Sequence, residues 1–216
     1  MTIQVAAFRW VPPFAQGFVR DLRVRWALEE AGLPYEAALI DRPVLAEGRY
    51  QQWQPFTQVP AYRDEEVEMF ESAAIILHIA GKSEALAPKD PAGAARVSTW
   101  VIAAINSIEP FMNTVVHFGD PPASETWALE RKAQYAAQLD RRLVALAGWL
   151  GEKDWLEGRF TAGDLMMVTV LRELVASGVL ARYPSLDAYR ARGEARPAFA
   201  RAMEAQLATF RENEPA

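Results

Sequence analysis

The chain has 216 residues, enough for one large or two modest domains, and its 51% hydrophobic and 24% charged content is ordinary for a globular protein. A net charge of −5 gives nucleic acid no basic field, no apolar run reaches the ~18 residues of a membrane span, and Arg9, Pro12, Pro13 and Arg20 interrupt any leader-like start. The lack of cysteine excludes disulfides, thiolate metal sites and a protein-borne thiol nucleophile, and two histidines, His78 and His117, are too few for a multi-histidine metal site, so a cytoplasmic protein without a metal is expected.

"IQVAAFRW" reads as a short, fully buried strand. "VPPFAQG" is a proline-rich loop ending at Gly17. "FVRDLRVRWALEEAG" then reads as a helix from Phe18, with Phe18, Leu22 and Trp26 spaced by four and Gly32 as its stop. "PYEAALID" is a second strand, followed by an irregular stretch through Pro55. "VPAYRDEEVEMF" predicts two short strands about a polar turn at Asp64-Glu65-Glu66. "SAAIILHIAG" is a helix with Ser72 at its N-cap and Gly81 as its close, and His78 within it is expected to be packed and hydrogen-bonded. The order β-α-β-(irregular)-β-β-α is that of a small mixed-sheet domain over residues 1–81.

"KSEALAPKDPAG", with two prolines and a glycine, supplies a linker over residues 82–90. Residues 91–216 carry long helical patterns and no strand signal of comparable strength. "AGAARVSTWVIAAINSIEPFMNTVVHF" and "SETWALERKAQYAAQLDRRLVALAGWL" predict a pair of long helices, the first bent or broken at Pro110. In "FTAGDLMMVTVLRELVASG", Thr161 and Asp164 form a capping box, with Phe160 and Leu165 as a hydrophobic staple. "PSLDAYRARGEARPAFARAMEA" continues the helical pattern. The class is α+β: a mixed-sheet domain, then an all-α helical bundle.

Within "TQVPAYRDEEVEMFESAAIILHIA", two pairs bear on function. If the Val59-Pro60 bond is cis, the Val59 amide and carbonyl can face outward at the sheet edge and pair with an extended peptide. Ser72 at a helix start suits a carboxylate, through its hydroxyl, the free amides and the positive dipole end, and Glu71 offers an acceptor to an ammonium group. Taken singly, the serine is explained as a cap and the Val-Pro as a strand start. Together they fit a ligand with a carboxylate and an ammonium on one carbon followed by an extended peptide, the pattern of the γ-glutamyl end of glutathione.

The chain resembles the cytosolic glutathione transferase family along essentially its whole length. "QPFTQVPAYRDEEVEMFESAAIILHIA" looks like that family's glutathione-site segment, "ALEEAGLPYE" the end of its first helix, "RFTAGDLMM" its capped core helix and "YPSLDAYRARGEARPAF" its C-terminal region. The resemblance implies a thioredoxin-like first domain and an all-helical second domain. It also implies glutathione as cosubstrate, held at Gln58, Val59, Pro60, Glu71 and Ser72, and a homodimer. One departure stands out. The family commonly places a tyrosine, serine or cysteine near the first loop, whereas "RWVPPFAQGFVRDLRVRW" contains no Tyr, Ser, Cys or Thr. Free amides around Gly17 to Val19, with Phe18 and Arg20 at the start of the first helix, are the substitute expected to hold a thiolate. The other reading of Arg20 is a solvated charge paired with an acid. A hydrophobic electrophile is expected between that loop and the helical domain, against Trp10, Phe14, Phe18, Trp100, Phe111 and Met112, some of which belong to cores instead. The leading expectation is thiolate conjugation to a hydrophobic electrophile. The alternatives are a non-catalytic binding protein of the same fold, or a glutathione-dependent isomerase or peroxidase.

Overall fold

The computed structural model describes residues 2–117 and 125–215 of the chain. Phe118 and Ser124, at the ends of two expected helices, lie outside the described residues. Two compact units make up the chain: Met1–Lys89 with Ala195–Ala216, and Asp90–Glu194.

The first unit is built on a four-stranded sheet of β1 (Ile3–Phe8), β2 (Tyr35–Ile40), β3 (Ala61–Arg63) and β4 (Glu68–Phe70), in the order β2-β1-β3-β4. β1 and β2 run parallel from Ile3↔Tyr35 to Phe8↔Ile40, and β3 is antiparallel to both β1 and β4. A parallel pair needs a crossover, which α1 (Asp21–Ala31) provides. Val5, Ala6 and Ala7 are all buried, which explains why β1 reads as an unbroken apolar run: covered on both faces, it has no solvent side to alternate with. With α3 (Ser72–Gly81) after β4, this is a thioredoxin-like sheet domain.

Three boundaries differ from the sequence reading. α1 begins at Asp21 rather than Phe18, because Gly17 takes a left-handed φ of +81° and the Phe18 amide turns back to the Ala15 carbonyl at 3.0 Å. The stretch taken as irregular contains α2 (Arg42–Ala46), capped by Asp41 Oδ1, which accepts from the Val44 amide at 3.0 Å. One helical turn and a half shows no periodicity, and only the Asp-Arg-Pro cap signal betrays it. Gly81 is the last residue of α3 and not its left-handed stop; Lys82 ends the helix in right-handed conformation.

The second unit holds α4 (Pro91–Ala103), α5 (Glu109–His117), α6 (Thr126–Leu150), α7 (Ala162–Arg172) and α8 (Pro184–Glu194). The expected break at Pro110 is a wide π turn, Ala104–Ile108, joining α4 to α5. Proline has no amide and its ring crowds the carbonyl four residues back, so the helix widens ahead of it. α7 is the central helix, buried from Ala162 through Leu171, with the capping box in place: Gly163 N donates to Thr161 Oγ1 (3.2 Å) and Thr161 N to Asp164 Oδ2 (2.9 Å). Phe160 and Leu165 are both buried. A Cβ on Gly163 would stand 2.6 Å from Trp100 Cβ, so the α4–α7 approach requires glycine there. Among the described residues no strand follows residue 90, and no helix is long and apolar enough to cross a membrane.

α9 (Pro197–Glu212), grouped by sequence with the helical domain, packs in the first unit on α1. Trp26 meets Phe199 edge-to-face at 4.9 Å, and Arg196 donates Nε and Nη2 to the two carboxylate oxygens of Glu30 at 2.6 and 2.8 Å.

Candidate functional site

The approach to β3 is fixed from beneath. The Val59 side chain belongs to a core with Ala6, Ile40, Tyr50 and Ala61, and the Tyr50 hydroxyl donates to the Gln58 carbonyl at 2.6 Å. Gln54, buried, accepts the Phe56 amide on Oε1 at 2.6 Å, and Trp53 Nε1 donates to the Tyr62 carbonyl at 3.0 Å. None of these anchors was singled out from sequence, since they act only once the loop is folded. The Val59-Pro60 bond is cis. The β3–β4 pairing begins at Ala61↔Phe70, so Val59 lies beyond the ladder, and its amide and carbonyl make no hydrogen bond among the described residues. This corrects the expected edge-strand geometry. β3 is an interior strand between β1 and β4, and the open main chain sits at its end, with room for one residue's pair of bonds.

The same register sets the second motif beside the first. Ala61 and Phe70 face each other across the hairpin, so Pro60 and Glu71 are the next residues out on either side, and Val59 and Ser72 the ones after. Only Glu71 separates β4 from α3. It makes the turn with φ +69° and ψ 112°, a sparsely populated conformation for a residue with a Cβ, and it is exposed. Glu71, not Ser72, is therefore the N-cap. Ser72 is the first helical residue, nearly buried, and its hydroxyl has no hydrogen-bond partner among the described residues. α3 starts without a side-chain cap, whereas Asp41, Asp90 and Thr161 cap α2, α4 and α7. Its first-turn amides thus await an acceptor from outside, at the positive end of the helix dipole. An exposed carboxylate, an unpartnered hydroxyl, uncapped amides and an open peptide unit converge at one end of the hairpin.

The loop before α1 departs from expectation. The Gly17 amide is taken by Gln206 Oε1 at 3.1 Å and the Phe18 amide by Ala15, so neither is free for a thiolate. The Val19 amide has no bond among the described residues. Phe18 is half-exposed, and Arg20 is an exposed residue at the N-cap of α1. Beneath them lies a buried polar cluster that sequence reading missed. Asp21 Oδ2 accepts from Arg25 Nε (2.8 Å) and Oδ1 from Gln206 Nε2 (2.6 Å), while Gln206 Nε2 also donates to the Val19 carbonyl (3.1 Å). Burial pushes the Asp21 carboxyl above its usual range against the pull of Arg25 and Gln206. The i, i+4 Asp–Arg spacing was visible in the sequence; Gln206, on α9, gave no local signal.

The apolar wall candidates fall in different units. In the first, Phe14 is 83% exposed and Trp10 Nε1 is buried without a hydrogen-bond partner. In the second, Trp100 donates Nε1 to Glu157 at 2.8 Å and tilts against Trp149 at 5.3 Å, and Phe111 lies between Tyr135 (5.6 Å) and the Arg142 guanidinium (3.7 Å). Met112 is fully buried and belongs to the core.

The Asp64-Glu65-Glu66 turn holds a second polar cluster. Asp64 Oδ2 contacts Tyr62 Oη, His78 Nε2 and Lys82 Nζ at 2.8, 2.9 and 2.9 Å, and Lys82 also reaches Glu66 at 2.7 Å. Asp64, Glu66 and His78 offer ligand atoms within 4.8 Å of one another, but the Lys82 ammonium already bridges the two carboxylates.

The sheet domain is of the thioredoxin-like class. Residues 22–82 match the family model "Glutathione S-transferase, N-terminal domain". The chain is 28% identical over 208 residues to the tobacco (Nicotiana tabacum) glutathione S-transferase PARB, covering 85% of this chain and 92% of that one. It is 26% identical over 193 residues to the disulfide-bond oxidoreductase YfcG of Escherichia coli, covering 83% and 88%. A glutathione transferase from Burkholderia graminis, crystallised with two glutathione molecules per subunit, superposes with a TM-score of 0.79 at 23% identity, covering 94% of this chain and 88% of that one. Over most of its length the chain is thus similar to proteins named glutathione transferases, and residues 22–82 match the N-terminal domain of that family.

Proposed function

We propose that this protein is a transferase that binds glutathione at the β3–α3 end of the sheet domain and directs its thiolate at small hydrophobic electrophiles. The observation that carries the reading is the hairpin register, which sets the open Val59 peptide unit opposite the uncapped start of α3. The γ-glutamyl carboxylate would take the Ser72 hydroxyl and the first amides of α3, its ammonium the Glu71 carboxylate, and the cysteinyl main chain the Val59 amide and carbonyl, with Gln58 and Pro60 flanking. The Val19 amide, Arg20 and Phe18 would border the sulfur, whose proton leaves to solvent. The sulfur electron pair then forms the new C–S bond. An aromatic halide would lose its halide with the bonding pair, and an activated alkene would take up a proton from water. In the first unit the substrate wall would include Trp10 and Phe14. The glutathione complexes of structural neighbours and the tobacco relative support this reading, which carries a homodimer with it.

The engaged Gly17 and Phe18 amides and the lack of any Tyr, Ser, Cys or Thr in residues 9–26 favour a second reading, a non-catalytic glutathione-binding protein. Calorimetric titration with glutathione, then an assay of the same preparation with chlorodinitrobenzene, separates the two. Saturable binding that weakens about tenfold in Ser72→Ala, the scale of one lost charge-assisted hydrogen bond, together with halide release, supports the transferase. Binding without turnover supports the second reading, and no binding removes both.

A further inference from the structure

Within the first unit, one hydroxyl decides which way the open Val59 peptide faces. Val59-Pro60 is the cis bond among the described residues, so Gln58-Val59 is trans. The Gln58 carbonyl and the Val59 amide therefore belong to one flat unit and point in opposite directions. The Tyr50 hydroxyl donates to that carbonyl at 2.6 Å, and among the described residues no other hydrogen bond holds either end of the unit. Tyr50 itself is fixed. It opens the 3-10 turn Tyr50–Gln52, its carbonyl takes the Trp53 and Gln54 amides at 2.9 Å each, and it is 4% exposed in the core that holds Ala6, Ile40 and Val59. Burial pushes the phenol pKa up, so the hydroxyl stays a donor at neutral pH. The chain leading in adds no support, because Thr57, two residues before Val59, sits at a left-handed φ of +57° that a β-branched side chain disfavours.

We propose that Tyr50 is a positioning residue for glutathione: by drawing the Gln58 carbonyl inward, its hydroxyl turns the Val59 amide outward, toward the cysteinyl carbonyl of the ligand. This role rests on the glutathione site proposed above. Tyr50 acts through the peptide unit and does not touch the ligand. Phenylalanine would fill the same core space, so packing accounts for the ring, and the bond to Gln58 accounts for the hydroxyl. Without that bond the unit can rotate about its two flanking single bonds, which exchanges the donor facing the ligand for an acceptor. An acceptor there would meet the ligand's own carbonyl and repel it.

Two ligands titrated calorimetrically into the full chain and into Tyr50→Phe test this. One is glutathione, and the other its analogue with the cysteinyl-glycine amide replaced by a trans alkene, which keeps the shape but has no carbonyl. Glutathione should bind Tyr50→Phe about five- to tenfold more weakly than the parent, the scale of one hydrogen bond. The alkene should bind the parent more weakly than glutathione by a similar factor and be indifferent to the substitution, because the bond that Tyr50 secures is already missing. A tyrosine that only supports the fold would weaken both ligands by the same factor. That result, or glutathione affinity unchanged in Tyr50→Phe, would overturn the inference and leave the glutathione site standing. No binding of glutathione by the parent would remove the site itself, and the inference with it. Should Tyr50→Phe fail to fold, nuclear magnetic resonance of the parent decides. The Val59 amide proton should move downfield with glutathione and stay in place with the alkene; equal shifts for both, or none for glutathione, would overturn the inference.

Discussion

The carboxylate of Asp64 joins the β3–β4 turn to α3 through hydrogen bonds on both oxygens. Oδ1 accepts the Glu66 and Val67 amides at 2.8 and 3.0 Å, and Oδ2 takes Tyr62, His78 and Lys82. Burial alone would raise its pKa, but the bonds from His78, Lys82, the Glu66 amide and Tyr62 hold it well below the usual carboxylate range. In the unfolded chain an aspartate titrates near ~3.9. The folded pKa lies below the unfolded one, so the stability this group contributes is fully present above the unfolded value of about 4 and is lost progressively as the pH falls from there toward the folded pKa. The thermal midpoint of Asp64→Asn should lie below that of the parent at pH 7, and the gap should narrow steadily below about pH 4; a gap constant down to pH 3 would mean the charge contributes nothing. At this scale the sequence was legible where the chemistry is local. The hydrogen-bonded role of His78 could be read from its neighbours in the chain, whereas Ser72 was expected at the N-cap that Glu71 occupies. The Gly17 and Phe18 amides were misassigned because one acceptor, Gln206, is 189 residues away.

Among elements, α7 shows how far a local signal reaches. Thr161 and Asp164 predicted the cap, but not that Asp164 Oδ1 also accepts the Leu156 amide and the Tyr189 hydroxyl, each at 2.9 Å, inside the second unit. The carboxylate therefore ties the helix start to the preceding loop and to α8. Asp164→Ala leaves the Thr161 cap but removes the N3 half of the capping box, stranding the Thr161 and Leu156 amides and the Tyr189 hydroxyl in a fully buried place. Each stranded buried donor costs about 1–3 kcal/mol, so a loss of about 3 kcal/mol or more is expected. Urea unfolding measures it, and a shift no larger than that of an exposed N-cap replacement would show that the extra bonds carry nothing. The remaining elements sort by the same logic. Strands and long helices follow from apolar patterning, whereas α2 is too short to have a period and the start of α1 is set by Gly17, whose left-handed φ excludes it from the helix.

On the scale of the whole chain, the first unit is discontinuous in sequence, because α9 returns to complete it. An amphipathic pattern states that a helix buries one face but not what the face meets, so residues 195–216 read as one more helix of the second domain. What brings them back is specific: Phe199 on Trp26, the Arg196–Glu30 pair, and Gln206 set into the polar cluster under the loop that leads into α1. Gln206 bonds the Gly17 amide, the Val19 carbonyl and Asp21 at once. It thereby holds Gly17, Val19 and Asp21, within and on either side of the Phe18–Arg20 stretch proposed to border the sulfur, although it lies outside the site motifs. Gln206→Ala strands the Gly17 amide and one Asp21 oxygen in the interior, so a loss of at least about 2 kcal/mol is expected from the usual cost of unpaired buried groups. A merely structural glutamine would lower the urea midpoint and change nothing else at temperatures where the variant stays folded. If it positions the loop of the proposed transferase, glutathione affinity, which the proposal assigns to Val59, Glu71 and Ser72, should stay within about threefold while kcat falls by about tenfold or more, because the loss is confined to the geometry around the reacting sulfur. Equal losses in affinity and kcat would assign Gln206 to general support of the fold, and an unchanged urea midpoint would contradict its place in the buried cluster.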